Sequence, residues 1–179
     1  PLTITIVAEA IRRGLPLTND TQVFLEAVPC KTIGITGSAG KTTTTTLVGR
    51  IAKAAYGDQG PCTAYVGGNI GDPLLNYVDE MRPEDLAILE ISSFQLEQMT
   101  ISPDVAAVLN ITPNHLDRHG TMEAYTAAKK RILDFQTRDD VAVLSRDDPG
   151  AWNLAPQVHG RLISFGFAPP PEGGDGTFI

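Results

Sequence analysis

Short apolar segments alternate with longer amphipathic segments along most of the chain. Six of the short segments have the pattern of strands that are buried on both faces of a parallel sheet. They are predicted at residues 31–36, 63–66, 86–89, 105–109, 141–144 and 162–165. Apolar side chains at helical spacing predict helices at residues 4–13, 41–56, 73–81 and 121–135. This alternation predicts an α/β fold with a mostly parallel sheet and helices on both faces.

The same spacing assigns particular side chains to the core. In helix 41–56 the stripe predicted to face the sheet consists of Leu47, Val48, Ile51, Ala52 and Ala55. In helix 121–135 the predicted stripe consists of Tyr125, Ala128, Ile132 and Phe135. Lys129 is predicted to lie beside this second stripe and not within it.

Composition narrows the class of protein. The chain has 179 residues, enough for one globular domain, and its 17 Gly and 13 Pro fit a loop-rich α/β protein. The Pro- and Gly-rich segment 168–176 is predicted to be a loop or linker, and residues 176–179 look like the start of a strand. A formal net charge of −7 argues against nucleic acids and anionic membranes as partners.

Cysteine usage and hydropathy indicate the cellular compartment. Cys30 and Cys62 are too few for a disulfide framework, and their spacing fits no zinc pattern. No apolar run approaches the roughly 20 residues that a transmembrane helix needs. The N-terminal residues also lack the pattern of a signal peptide. A reducing, cytoplasmic setting without membrane insertion is therefore expected.

A glycine-rich loop joins the first predicted strand to helix 41–56. Backbone N–H groups at such a helix start can bind phosphate, and glycines let the anion come close. The residues expected to contact a nucleotide are Gly37, Ser38, Ala39, Gly40, Lys41, Thr42 and Thr43. The loop is the shortened G-x-x-G-K-T form, because Ile35 stands where the longer pattern has Gly. The alternative is a plain strand-to-helix turn with a surface lysine.

A carboxylate follows the third predicted strand. Glu90 comes directly after the apolar residues 86–89, at the edge of the sheet where α/β proteins bind ligands. Beside a phosphate loop, such an acid is a candidate metal ligand. The alternative is an acid at a strand end that faces solvent.

Three motifs together resemble one enzyme family. They are the phosphate loop, the segment E-I-S-S-F-Q-L-E at residues 90–97 and the segment N-I-T-P-N-H-L-D-R-H at residues 110–119. Together they resemble the central domain of the Mur ligases, over about residues 1–165. The segment at 90–97 is most similar to the members that add D-glutamate. The other peptidoglycan ligases and folylpolyglutamate synthase resemble the chain at the phosphate loop.

The resemblance implies a fold and a domain organisation. The central domain of this family has a P-loop NTPase-like fold. Residues 1–29 would be the tail of an N-terminal Rossmann-like domain that binds UDP, and residues 30–179 would be a truncated central ATP-binding domain. The family's C-terminal domain, which brings the incoming amino acid, would be absent from this chain.

The resemblance also implies a reaction in peptidoglycan precursor synthesis. ATP would phosphorylate the carboxylate of UDP-N-acetylmuramoyl-L-alanine, and the amine of D-glutamate would then attack the acyl phosphate. Both substrates are small molecules, and a monomeric enzyme is expected. Phosphoryl transfer depends mostly on positioning and charge neutralisation, which suits a site with a lysine, backbone N–H groups and Mg²⁺.

Roles in this reaction carry over from the family to residues of this chain. Lys41 would act on the outer phosphates of ATP, and Thr42 and Glu90 would hold one Mg²⁺. Asn69 would contact the muramoyl substrate, although by sequence alone it is equally an ordinary residue of a Gly-rich turn.

A second Mg²⁺ is implied at His115 and Lys129. His115 would also lie near the substrate, and Lys129 matches a lysine that is carbamylated in this family. From spacing alone, Lys129 would be a solvated helix residue and His115 a surface residue. A zinc pair of His115 and His119 is not expected, because Pro113 and Gly120 bracket a predicted loop.

Two other functions stay open at this point. The chain could belong to another Mur-family ligase or to an enzyme like folylpolyglutamate synthase, which would change the amino acid that is added. It could instead be a P-loop nucleotide-binding module that forms no amide bond. Phosphate release that depends on both the muramoyl substrate and D-glutamate would separate these cases.

Overall fold

The fold is built on one parallel sheet of seven strands. The computed structural model describes residues 5–57 and 60–179, so Ile4, the first residue of the predicted N-terminal helix, lies outside the described residues. The strands stand in the order β2-β3-β1-β4-β5-β6-β7, and all neighbours are parallel. They are β1 (Lys31–Thr36), β2 (Ala64–Gly68), β3 (Leu86–Glu90), β4 (Val105–Val108), β5 (Val141–Ser145), β6 (Arg161–Gly166) and β7 (Asp175–Phe178).

Helices cover both faces of this sheet, which confirms the predicted fold class. They are α1 (Thr5–Arg12), α2 (Asp20–Ala27), α3 (Lys41–Tyr56), α4 (Ser93–Leu96), α5 (Leu116–His119), α6 (Met122–Asp134) and α7 (Pro149–Trp152). Two 3₁₀ helices span Leu74–Glu80 and Ala155–Gln157. Helix α3 packs on a core around Ile35 and Ile88, whereas α2, α4 and α6 pack on the larger core around Leu89 and Val108.

Helix α3 buries only part of the stripe that is predicted for it. Leu47 and Ile51 are 51% and 68% exposed, and Ala55 is exposed as well. Val48 and Ala52 do pack on the core, next to the buried Gly49. A Cβ atom added at Gly49 would lie 2.4 Å from Cγ2 of Val66 in β2. The helix therefore approaches the sheet most closely at Gly49, which has no Cβ atom. In this orientation Leu47 and Ile51 point outward.

In helix α6 the prediction for two side chains is wrong. Lys129 is only 1% exposed and lies inside the packed interface, whereas Phe135, the C-cap residue, is 39% exposed. Hydropathy treats lysine as a surface residue, because burying an ammonium group costs free energy unless polar groups satisfy it. Here polar groups at the end of β1 satisfy it, as described below.

Smaller differences concern turns and ends. Residues 74–80 form a 3₁₀ helix instead of the predicted α-helix, and residues 116–119 form one helical turn where a loop was expected. The predicted linker ends at residue 174, because Asp175–Phe178 forms a strand that pairs with β6. Helix α2 begins after Asn19, whose side chain accepts a hydrogen bond from the Gln22 N–H. No helix within the described residues is long and apolar enough to cross a membrane.

Candidate functional site

The glycine-rich loop lies at the carboxyl end of β1, an interior strand of the sheet. Gly40 has φ +82°, a left-handed conformation that glycine adopts without steric cost. The next turn closes with a hydrogen bond from the Thr44 N–H to the Gly40 carbonyl, at 3.0 Å. The N–H groups of residues 41–43 therefore have no intrahelical acceptor and stand at the positive end of the helix dipole. This geometry suits an anion such as a phosphate group.

Asn110, which follows β4, holds the other half of the loop. The Ser38 N–H donates to its carbonyl oxygen at 3.0 Å, and the Ala39 N–H donates to its Oδ1 at 2.8 Å. Its Nδ2 donates back to the Ala39 carbonyl at 3.1 Å. Two N–H groups expected to bind phosphate are thus engaged by Asn110 in this structure. Sequence reasoning gave Asn110 no role of its own, although its place at a strand end was the available signal.

Two lysines converge on one carbonyl oxygen of the loop. Nζ of Lys41 and Nζ of Lys129 both donate to the Gly37 carbonyl, at 3.0 Å and 2.9 Å. Nζ of Lys129 also lies 3.3 Å from Oγ1 of Thr36 and 4.8 Å from the ring centroid of Tyr125. Burial first, and then repulsion from Lys41, lowers the pKa of Lys129 from 10.5 to about 7. A large fraction of this amine is therefore neutral near pH 7.

Glu90 lies next to the loop, at the end of β3. Its side chain is buried, with the residue 2% exposed. Oε2 accepts a hydrogen bond from the Thr42 hydroxyl at 2.6 Å, and Oε1 accepts one from Nδ2 of Asn69 at 2.9 Å. The structure thus brings together Thr42, Glu90 and Asn69, three of the residues to which the resemblance gives roles.

The surroundings of Glu90 fit a divalent cation. Among the residues that the structure describes, no lysine, arginine or histidine forms an ion pair with Glu90, so the buried charge lacks a cationic partner. No cluster of three or more His, Cys, Asp or Glu side chains occurs in the same described part. Mg²⁺ does not need such a cluster, because it is commonly held by one or two carboxylates together with substrate phosphates and water.

His115 and His119 stand at opposite ends of the one-turn helix α5. His115 is exposed and precedes the helix with φ +51°, a left-handed conformation that costs a non-glycine residue about 1–2 kcal/mol. The His119 side chain is 1% exposed, and both of its ring nitrogens are engaged by Ser93 and Glu97. The two imidazoles therefore do not form a zinc pair. No hydrogen bond within the described residues joins His115 to Lys129.

A groove of about 590 Å³ opens beside the phosphate loop. Asn110 and Leu109 form its side toward the loop, and Asp147, Phe167 and Phe178 line other parts of it. The groove is of the size of small-molecule sites and lies at the carboxyl edge of β4 to β7. The aromatic rings give it an apolar wall next to the polar loop.

Comparison with known proteins gives a consistent result over most of the chain. A family model described as the Mur ligase middle domain matches residues 35–172. A UDP-N-acetylmuramoylalanine–D-glutamate ligase from Symbiobacterium thermophilum is 43% identical over 173 residues, which is 97% of this chain and 37% of that protein. A protein of the same name from Pelotomaculum thermopropionicum is 47% identical over 166 residues, 92% of this chain and 35% of that protein. The chain thus spans little more than a third of the length of these relatives.

Solved structures show the same fold. A UDP-N-acetylmuramoyl-L-alanyl-D-glutamate–2,6-diaminopimelate ligase superposes with a TM-score of 0.61 and 25% identity, over 81% of this chain and 34% of that one. The MurF ligase from Thermotoga maritima, solved in complex with ADP, superposes with a TM-score of 0.61 and 24% identity. That match covers 80% of this chain and 34% of that protein, and it concerns the fold alone.

Proposed function

The chain belongs to the Mur ligase family, and on that premise we propose that it forms the ATP and Mg²⁺ site of an ATP-dependent amide ligase. The observation that carries the proposal is Glu90, a buried carboxylate without an ion-pair partner in the described structure. It lies in hydrogen-bond contact with the Thr42 hydroxyl, at the start of the helix that follows the phosphate loop.

The residues around Glu90 and the phosphate loop divide the binding of Mg²⁺ and of the ATP phosphates among them. Glu90 and Thr42 hold one Mg²⁺, and the N–H groups of residues 41–43 bind phosphate oxygens. Lys41 turns its amine from the Gly37 carbonyl to the outer phosphates of ATP. Mg²⁺, when bound, neutralises charge on the phosphate oxygens that the reaction brings together. The groove beside Asn110 offers room for the remainder of the nucleotide.

We propose that the acceptor is UDP-N-acetylmuramoyl-L-alanine and that D-glutamate is added to it. An oxygen of the acceptor's carboxylate attacks the γ-phosphorus, and ADP leaves. The amine of D-glutamate then attacks the acyl carbon, and phosphate is expelled. Identities of 41–47% to proteins named as this ligase support the choice of amino acid, as does the segment at residues 90–97.

The remaining site residues are assigned by the same proposal. Asn69, whose amide already donates to Glu90, presents its carbonyl oxygen to the muramoyl substrate. His115 and a carbamate on Lys129 hold a second Mg²⁺, and the low pKa and burial of Lys129 suit that modification. Residues 1–29 form the tail of a UDP-binding domain, and a further domain of the longer protein supplies the amino-acid site.

Nucleotide binding to the chain tests the site. We expect Lys41→Ala to raise the Kd of a nonhydrolysable ATP analogue with Mg²⁺ by roughly 10- to 100-fold, the usual loss for a hydrogen bond to a charged group. Glu90→Gln keeps the shape and removes the charge, so it should weaken binding and steeply raise the Mg²⁺ concentration that binding requires, with the fold left intact. Lys53→Ala, in the last turn of the same helix, is the matched control. Unchanged affinity in the first two variants would contradict the site.

Phosphate release by the full-length protein tests the reaction. Phosphate release should require both UDP-N-acetylmuramoyl-L-alanine and D-glutamate. Replacing D-glutamate by diaminopimelate or by L-glutamate should abolish it. Activity with another amino acid would indicate a different member of the family. Nucleotide hydrolysis that ignores both substrates would indicate a nucleotide-binding module that forms no amide bond.

A further inference from the structure

We propose that His119 is a positioning residue, which fixes His115 and Tyr125 in the site described above; this inference rests on the proposed function. His119 is the last residue of α5, and its imidazole is buried between α4 and α6. Neither the sequence pattern nor the resemblance gives it a task. Its contacts extend toward both halves of the proposed second metal site.

Both ring nitrogens of His119 are held by polar side chains of helix α4 and its C-cap residue. Nδ1 lies 2.9 Å from Oε1 of Glu97, and Nε2 lies 3.0 Å from Oγ of Ser93. An ionised carboxylate can only accept, so Nδ1 carries the proton and Nε2 accepts from the Ser93 hydroxyl in the neutral imidazole. Ser93 is buried at the first position of α4, so the arrangement lacks the exposed hydroxyl that a hydrolytic triad needs. Its effect is to fix the ring in one orientation.

The faces of the same ring contact two aromatic side chains. The Phe94 ring stacks on it at 5.1 Å between centroids, with 9° between the planes, and the Tyr125 ring lies at 5.1 Å and 57°. Phe94 in turn contacts the His115 ring, edge to face at 5.3 Å. The amine of Lys129 lies over the Tyr125 ring, and the Tyr125 hydroxyl lies 3.0 Å from Oγ of Ser38 in the phosphate loop. One imidazole therefore supports two rings, each of which touches a residue of the site.

His115 needs such support because its own helix cannot supply it. Helix α5 has four residues, and a single turn is not stable on its own. It also begins at a left-handed His115, a conformation that persists only where the surroundings enforce it. Of the residues of α5, only His119 is less than exposed. The buried His119 at the end of this turn therefore fixes the position of His115 at its start.

Histidine NMR on the chain tests the positioning directly. The sequence has three histidines, so ¹⁵N,¹³C-histidine labelling gives three sets of ring signals. Long-range ¹⁵N couplings should show the Nδ1–H tautomer for His119. In His119→Ala, the His115 ring signals should move toward those of a free, solvated imidazole as the contact with Phe94 is lost. His119→Phe keeps a ring for stacking and should give a smaller change.

The controls separate positioning from stability. His159 lies at the opposite end of the sheet, near Gln136, and His159→Phe is the matched control variant. The ring signals of His159 should stay unchanged in the His119 variants. A merely structural role for His119 would lower the melting temperature and leave the His115 signals of the folded molecules where they are. That outcome, at a temperature where circular dichroism shows a folded chain, would overturn the proposal.

Kinetics of the full-length enzyme give the second readout. Misplacing His115 should lower kcat roughly 10- to 100-fold in His119→Ala, whereas the affinity for the ATP analogue should change little. Equal loss of nucleotide affinity and kcat, or an unchanged kcat, would contradict a positioning role. Failure of the wild type to bind nucleotide would contradict the proposed function instead. The NMR result on His115 does not depend on nucleotide binding.

Discussion

Lys129 shows how the environment of one residue creates a reactive group. Its amine is surrounded by the Thr36 hydroxyl, the Gly37 carbonyl and the Tyr125 ring, with Lys41 as the nearby like charge. None of these neighbours is an anion that would favour the ammonium form strongly. A buried amine in such surroundings gives up its proton more readily than one in water, which makes it nucleophilic near neutral pH.

This environment predicts a pH dependence of stability. The folded chain releases the Lys129 proton near pH 7, whereas the unfolded chain keeps it up to about pH 10.5. The unfolded state therefore binds more protons between these values, and the unfolding free energy rises with pH there, by at most about 1.4 kcal/mol per pH unit. Below pH 7 both states are protonated, and the contribution is constant.

Lys129→Met isolates this contribution, because methionine has a similar length and no charge. Measured by urea denaturation in CO₂-free buffer, the wild type should gain on the order of 2 kcal/mol over the variant between pH 7 and pH 9. Lys53→Met removes an exposed lysine and serves as the control, with no such change expected. Parallel pH profiles for the wild type and Lys129→Met would show that the amine titrates as it does in water.

A carbamate on Lys129 is the second prediction at this scale. The neutral amine attacks CO₂ and releases a proton, so the side chain becomes an anionic carbamate, which suits a cation ligand. We expect a carbamate signal in ¹³C NMR of the Mg²⁺-loaded full-length enzyme with labelled bicarbonate. The same signal in Lys129→Met would assign it to another group. Lys129→Ala is a poorer variant, because truncating a buried side chain leaves a cavity.

At the scale of elements, the sequence predicts the bounds of strands and helices better than it predicts which face of a helix is buried. Strand β1 and helix α3 have the predicted bounds, because a buried run, a glycine loop and Gly57 mark their ends. The buried face of α3 is predicted only in part: Val48 and Ala52 do pack on the core, but hydropathy favours Leu47 and Ile51 over Gly49. Packing is decided by how closely the helix can approach Val66, and that distance is absent from any pattern along the chain.

The close approach of α3 to β2 gives a prediction in which two effects oppose each other. Helix propensity alone would make Gly49→Ala stabilising by about 1 kcal/mol. The added Cβ would lie 2.4 Å from Cγ2 of Val66, and overpacking of this kind costs typically 1–3 kcal/mol. We therefore expect a net loss of unfolding free energy in urea denaturation.

Two further variants check the cause of that loss. Gly49→Ala combined with Val66→Ala should be more stable than the sum of the single changes, because the second change removes the clash. Arg50→Ala, at the exposed neighbouring position, should stay within about 0.5 kcal/mol of the wild type. A stabilised Gly49→Ala variant would show that propensity outweighs packing here.

At the scale of the whole molecule, the site depends on the order of the strands. Glu90 is the last residue of β3 and Asn110 follows β4, and these strands flank β1, which leads into the loop at Gly37. Parallel strands place all three ends at one edge of the sheet. Sequence motifs could nominate Glu90 and the loop, since each follows an apolar strand. They could not indicate that Asn110 would hold the loop, because that contact exists only once β4 lies beside β1.

The last prediction concerns what this arrangement can do by itself. All the residues that we propose for phosphate and metal binding lie within residues 37–129, whereas the chain spans only 35–37% of its ligase relatives. The chain should therefore bind the ATP analogue in the presence of Mg²⁺ by calorimetry, and Lys41→Ala should weaken this binding by roughly 10- to 100-fold. It should form no amide from UDP-N-acetylmuramoyl-L-alanine and D-glutamate, whereas the full-length protein should do so under the same conditions. The reason is that the amine needs a binding site that holds it within attacking distance of the acyl phosphate, and we propose that another domain supplies this site. A D-glutamate-dependent product from the chain alone, detected by mass spectrometry, would contradict this division of labour and place the amino-acid site on the sheet edge described here.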